Sequence, residues 1–214
     1  MSTAPSSGAH RAKMISRHAP AGFFIAALVT ALPIWWIVAT PILSGAPEPF
    51  GRHIGHAPWS YVHAMTGTVM LFSGAAALWI GWTRKGFRFH RLAGGAYLLA
   101  GLPASLIALI LNALDVHGDV ASAAPTGALA AAWLLAAAMA FRAIRNKRVE
   151  SHKQWVIRSY VLTWSFVFCR GLGLPQIDLA ESVGTSLMWI TWIAPLLICE
   201  ALLQWSNGSA RRAS

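Results

Sequence analysis

The chain has 214 residues, of which 56% are hydrophobic and only 11% charged, with a formal net charge of +10. A soluble domain devotes about a quarter of its residues to charge, so the composition excludes a water-soluble globule, and equally a collagen, a coiled coil or a disordered chain. Two cysteines in this length give no disulfide framework and no paired Cys motif for a structural zinc or a thiol–disulfide centre. In chain order, residues 1–20 read as a disordered cytoplasmic N-terminus. Apolar runs follow at 21–43, 59–82, 92–114, 121–144, 155–172 and 183–205, and a polar cytoplasmic tail occupies 207–214. About 20 helical residues cross a hydrocarbon core of about 30 Å. Five runs meet that length unaided, and the fifth in order meets it by starting near His152. The first run is too long for the apolar region of a signal peptide. The expected fold is therefore all-α: one polytopic domain over residues 21–206 with six transmembrane helices, the second to fifth forming a central four-helix bundle.

The placement of charge orients this domain. Arg11, Lys13 and Arg17, then Arg84, Lys85, Arg88 and Arg91, then Arg142, Arg145, Lys147, Arg148 and Lys153, and finally Arg211 and Arg212 all fall on one side. The other side holds Arg52 and Arg170 beside Glu48, Asp115, Asp119, Asp178 and Glu181. Cations that flank apolar runs in this way mark a membrane, where a basic stripe would mark nucleic acid. The positive-inside rule puts both termini in the cytoplasm, and the expected location is the cytoplasmic (inner) membrane of a bacterium. Trp35, Trp36, Trp59, Trp79, Trp82, Trp155 and Trp205 fall mostly near run ends, as an interfacial aromatic belt requires.

Function is sought among the histidines. His10 and His18 sit in the N-terminal segment. His63 enters the second run from the outer side and His117 lies in the outer loop before the fourth; His90 opens the third run and His152 the fifth, both from the inner side. The four form two same-side pairs, and two imidazoles can supply both axial positions of a haem iron while apolar helices bury the macrocycle. Gly67 follows His63 by four residues and Gly94 follows His90 by four. Each glycine removes a side chain beside a ligand on the same helix face. The expected cofactor is haem b, one or two per chain, with His63, His117, His90 and His152 as iron ligands. Arg91 and Arg158 are expected to hold propionates, a quinone or a lipid headgroup, and Arg170 to do so on the outer side. Each reading has a plainer counterpart. Small-x-x-x-small spacing also serves helix packing. Asp115, Gly118 and Asp119 make His117 part of a solvated turn. Arg158 and Glu200 lie at nearly equal depth, so an ion pair locking the fifth and sixth runs competes with a functional Arg158. His53 and His56, spaced His-x-x-His, offer with His63 an alternative zinc or copper site. Tyr97, Tyr160 and Trp164 read as packing residues. Cys169 and Cys199 differ too much in depth to be bridged. Nothing supports hydrolytic or kinase chemistry.

At His90-Arg91-Leu92-Ala93-Gly94-Gly95-Ala96-Tyr97, and again from His152-Lys153-Gln154-Trp155-Val156-Ile157-Arg158-Ser159-Tyr160 to Thr163, the chain resembles a large bacterial family of predicted multi-helix membrane proteins of unknown function. The similarity runs from about His63 to about Arg170, and the resemblance implies no established activity. In that family the position of His117 is often not histidine. A looser likeness in layout is to six-helix dihaem b-type transmembrane cytochromes, in which helices 2 and 4 supply one histidine pair and helices 3 and 5 the other. His117 departs from that layout by preceding its helix. The expected function is membrane electron transfer through haem b held between helices 2–5, an oxidoreductase role passing electrons between a periplasmic redox partner protein and a quinone or cytoplasmic donor. The alternatives from other classes are a haem-free accessory or structural subunit that docks a partner or anionic lipid through its basic loops, and a small transporter, which the lack of a repeat disfavours.

Overall fold

The computed structural model describes residues 57–115, 120–171 and 181–212, together with Leu32 and Trp36. The N-terminal segment, the rest of the first run, the His53/His56 pair and His117 lie outside the described residues. Among residues 57–212 as described, six α-helices follow in order: α1 (Ala57–Thr83), α2 (His90–Asp115), α3 (Val120–Arg145), α4 (Val149–Thr163), α5 (Ser165–Gly171) and α6 (Glu181–Arg212), with a short 3-10 turn at Phe87–Phe89 before α2. Among the described residues there is no strand.

Four segments, Pro58–Thr83, Phe87–Ala113, Ala123–Arg145 and Val183–Trp205, are long and apolar enough to cross a membrane. They correspond to the second, third, fourth and sixth runs, the third opening five residues before its run, at Phe87. The six expected spans are thus four among the described residues. The fifth run is divided between α4 and α5, and α4, at 15 residues, is too short to cross a hydrocarbon core and also carries Glu150, His152, Lys153, Gln154, Arg158 and Ser159. Backbone bonding nevertheless continues across Trp164, whose N–H reaches Tyr160 O at 3.2 Å and Val161 O at 3.1 Å, while its own carbonyl accepts from Phe168 at 3.0 Å. α6 also runs on to Arg212, through residues whose polarity predicts a tail. Once a helix is established each further residue adds a bond.

The turns at the basic end are tight. Arg84 (φ 60°) and Gly86 (φ 66°) are left-handed between α1 and α2, and Lys147 (φ 59°) is left-handed between α3 and α4. At the second turn Arg148 N–H donates to Ala143 O at 2.9 Å and Lys147 N–H to Ile144 O at 3.0 Å. This is a Schellman closure with lysine where glycine is usual.

α1, α2, α3 and α4 close a square. α1 packs on α2, α2 on α3, α3 on α4 and α4 back on α1, while α6 leans on α3, α4 and α5. The diagonal pairs α1/α3 and α2/α4 have no close backbone contact. The core between them is built from Met70, Ala75, Tyr97, Ala104, Trp133 and Tyr160. Glycines set how near the helices come. A Cβ on Gly74 would stand 2.7 Å from the Tyr160 ring and 2.8 Å from the Tyr97 ring, and one on Gly101 would collide with the Trp133 indole. The exterior is apolar, with Met65, Leu92, Leu99, Leu135, Leu202 and Trp205 all exposed, as lipid-facing helices require.

Candidate functional site

α2 and α4 begin at the same end of the square and stand on its diagonal. Their first turns carry His90 and His152, both half-buried. The two imidazoles bridge the diagonal with ring centroids 6.4 Å apart and planes crossed at 82°.

Each ring is fixed by one backbone carbonyl. His90 Nδ1 donates to Ala77 O of α1 at 3.0 Å, and His152 Nδ1 donates to Ala140 O of α3 at 2.9 Å. The acceptor in each case lies on the preceding helix, 13 and 12 residues back respectively. The hairpins α1–α2 and α3–α4 therefore repeat one device. A carbonyl oxygen can only accept, so Nδ1 carries the proton, and in the neutral ring the lone pair resides on Nε2. This is the tautomer that metal-ligating histidines adopt when their second nitrogen donates to a carbonyl. With a metal–nitrogen bond of about 2.0 Å and about 1.1 Å from ring nitrogen to ring centre, two imidazoles on opposite sides of one metal have centroids about 6.2 Å apart. The observed separation fits that arrangement.

The walls around the pair explain its placement. Gly81 of α1 lies against His90, and a Cβ there would come within 3.0 Å of the ring's Cε1. On the exposed side Phe87 stacks on His90, with planes at 6° and centroids 5.2 Å apart. About two helical turns further in, roughly 10 Å along α2, Tyr97 forms a floor. Trp133 Nε1 donates to the Tyr97 hydroxyl at 2.9 Å, and that hydroxyl also bonds Thr163 Oγ1 at 2.9 Å and Ser159 Oγ at 3.2 Å. The side chains of α2, α3 and α4 thus meet on one phenol, which keeps the diagonal at a fixed width. Gly94 and Gly95 have nothing within 4 Å of a built Cβ, so the α2 backbone next to His90 is left uncovered.

The remaining expected residues are placed as follows. His63 sits at the opposite end of α1, where its Nδ1 donates to Ala104 O of α2 at 2.9 Å. Gly67, a turn further along, faces open space. His117, the expected partner of His63, lies outside the described residues, and so does the side chain of Arg170. Arg91 is exposed. Arg158 is engaged with Glu200 of α6, through Nε to Oε2 at 2.8 Å and Nη2 to Oε1 at 3.0 Å, and its guanidinium lies 4.9 Å over the Trp155 ring. The ion pair weighed against a ligand role for Arg158 is thus present. Neither Cys169 nor Cys199 is in a disulfide. Among the described residues no three His, Cys, Asp or Glu side chains come together, so the two imidazoles form a pair and not part of a larger cluster.

Sequence reasoning did not single out Gly81, Phe87, or the carbonyls of Ala77 and Ala140. Their roles depend on which helices are neighbours, and only Gly81's small size left any trace in the sequence.

A family described as predicted membrane protein (DUF2306) matches residues 60–203, which contains the square and the histidine pair. No curated protein and no solved structure matches the chain.

Proposed function

The chain belongs to this family of predicted membrane proteins (DUF2306), and from that premise we propose that it is a membrane electron-transfer protein holding haem b between His90 and His152. The observation that carries the reading is the diagonal pair, two imidazoles 6.4 Å apart at their centroids on helices whose backbones have no close contact. Bound haem would supply a one-electron centre. The chain's own residues do the rest. Ala77 O and Ala140 O hold the ring tautomers, Gly81 admits His90 beside α1, Tyr97 fixes the floor, and the open flank at Gly94 leaves room for a flat macrocycle. By the positive-inside rule this end faces the cytoplasm of a bacterial cell, with electrons exchanged with a quinone or a redox partner protein. The proposal is for this one site. His63 is anchored in the same manner, which is what a second site with His117 would need.

The same three histidine–carbonyl bonds favour a second reading, in which the imidazoles only staple α1 to α2 and α3 to α4 in a haem-free accessory subunit. Spectra of the protein purified from cells supplied with iron and a haem precursor decide between them. The electron-transfer reading expects a reduced-state α band with low-spin bis-imidazole character. That band should be lost in His90→Ala and in His152→Ala, and kept in His63→Ala. Wild-type protein without extractable haem would overturn it and leave the stapling role.

A further inference from the structure

The α1–α2 turn carries Arg84, Lys85, Arg88 and Arg91 within eight residues and no carboxylate. Only residues 84–86 separate the candidate spans Pro58–Thr83 and Phe87–Ala113. A turn this short cannot project away from a bilayer, so its cations stay at headgroup level. Two of them are held over aromatic faces: the Arg84 guanidinium lies 5.1 Å from the Phe87 ring centre, and that of Arg88 4.7 Å from the Phe89 ring centre. Both rings are 48% exposed, an unfavourable exposure in water and a favourable one at the boundary between headgroups and acyl chains. Beneath them Leu92, Leu99 and Leu106, seven residues apart, are 71%, 72% and 52% exposed. That spacing puts them on one stripe down the outer face of α2. The other basic turn differs, because there Glu150 already takes Lys153 at 3.0 Å.

We propose that the α1–α2 turn is a binding site for an anionic phospholipid whose headgroup carries a phosphodiester and no ammonium, the chemistry of phosphatidylglycerol. Arg84 and Arg88 take the phosphate, since a guanidinium fork matches two phosphate oxygens. Phe87 and Phe89 support the glycerol region, and an acyl chain lies on the leucine stripe. A soluble acidic protein would need cations that reach beyond the headgroups, which this short turn does not provide. The proposal does not rest on haem at His90 and His152, although Phe87, which stacks on His90, adjoins both sites.

The test compares delipidated protein reconstituted with phosphatidylglycerol or with phosphatidylcholine of the same chains, reading the melting temperature and the lipid retained in native mass spectrometry. Wild type is expected to prefer phosphatidylglycerol in both readouts. With about 1 kcal/mol per surface cation, Arg84→Gln/Arg88→Gln should weaken that preference roughly thirtyfold, and Arg88→Gln, which leaves the left-handed turn at Arg84 intact, roughly fivefold. Arg142→Gln/Arg145→Gln removes equal charge from the other turn and should keep most of the preference. No preference in wild type, equal loss in both double variants, an unchanged preference in Arg88→Gln, or retention of a soluble acidic protein by this turn in place of lipid would each overturn the proposal.

Discussion

Single atoms decide how close the helices of this bundle can come. The Tyr97 hydroxyl accepts from Trp133 and bonds Ser159 and Thr163, and both of those hydroxyls in turn donate to backbone carbonyls of α4. Every proton in the cluster has an acceptor. Tyr97→Phe removes the acceptor nearest the Trp133 indole, which retains Thr163 Oγ1 at 3.2 Å, so a loss of about 1 kcal/mol is expected in thermal unfolding in detergent. The glycines offer a sharper contrast. Gly101→Ala drives a methyl group into Trp133 and is expected to cost about 1–3 kcal/mol. Gly94→Ala meets nothing within 4 Å, so it should leave the haem-free protein at least as stable, gaining up to about 1 kcal/mol of helix propensity. If a macrocycle lies along that flank, the same substitution lowers haem occupancy.

At the scale of elements, α4 is the unusual helix. It is too short and too polar to count as a span, yet it supplies His152, Ser159 and Thr163 to the interior and Arg158 to α6. The Arg158–Glu200 pair is a fork-to-carboxylate contact, with side chains 16% and 36% exposed, so it is neither fully buried nor a surface pair. Arg158→Met alone, or Glu200→Met alone, strands a charge at the α4–α6 contact and is expected to cost about 1–3 kcal/mol. The double variant should recover most of that, as a thermal-denaturation double-mutant cycle would read. Losses that simply add would show that the pair contributes no coupling.

For the whole molecule, the square of α1 to α4 turns four helix positions into one site. His90 and His152 are 62 residues apart in sequence, and they meet because α2 and α4 occupy opposite corners with their first turns at the same end. Gly81→Ala tests that arrangement without touching a histidine. Its methyl group would press on the His90 ring, and the expected result is a shifted or weakened α band in a protein that still carries both imidazoles.

The sequence by itself determined the all-helical membrane character, seven of the eight ends of the four candidate spans to within two residues, the basic end, and the candidacy of His90 and His152. These follow from apolar run length, from charge at run ends and from local spacing, all of which are properties of neighbouring residues. It also raised the Arg158–Glu200 pair, because equal depth on two helices can be counted along the chain. Local counting could not show which helices share an edge of the square and which share a diagonal. The carbonyls that fix the imidazole tautomers, the Phe87 stack, the glycines that let Tyr97, Tyr160, Trp133 and His90 pack, and the division of the fifth run at Trp164 were decided only by the tertiary structure. Each depends on which backbone approaches which side chain across the bundle, and close approach between helices distant in sequence leaves no periodic signal in either one.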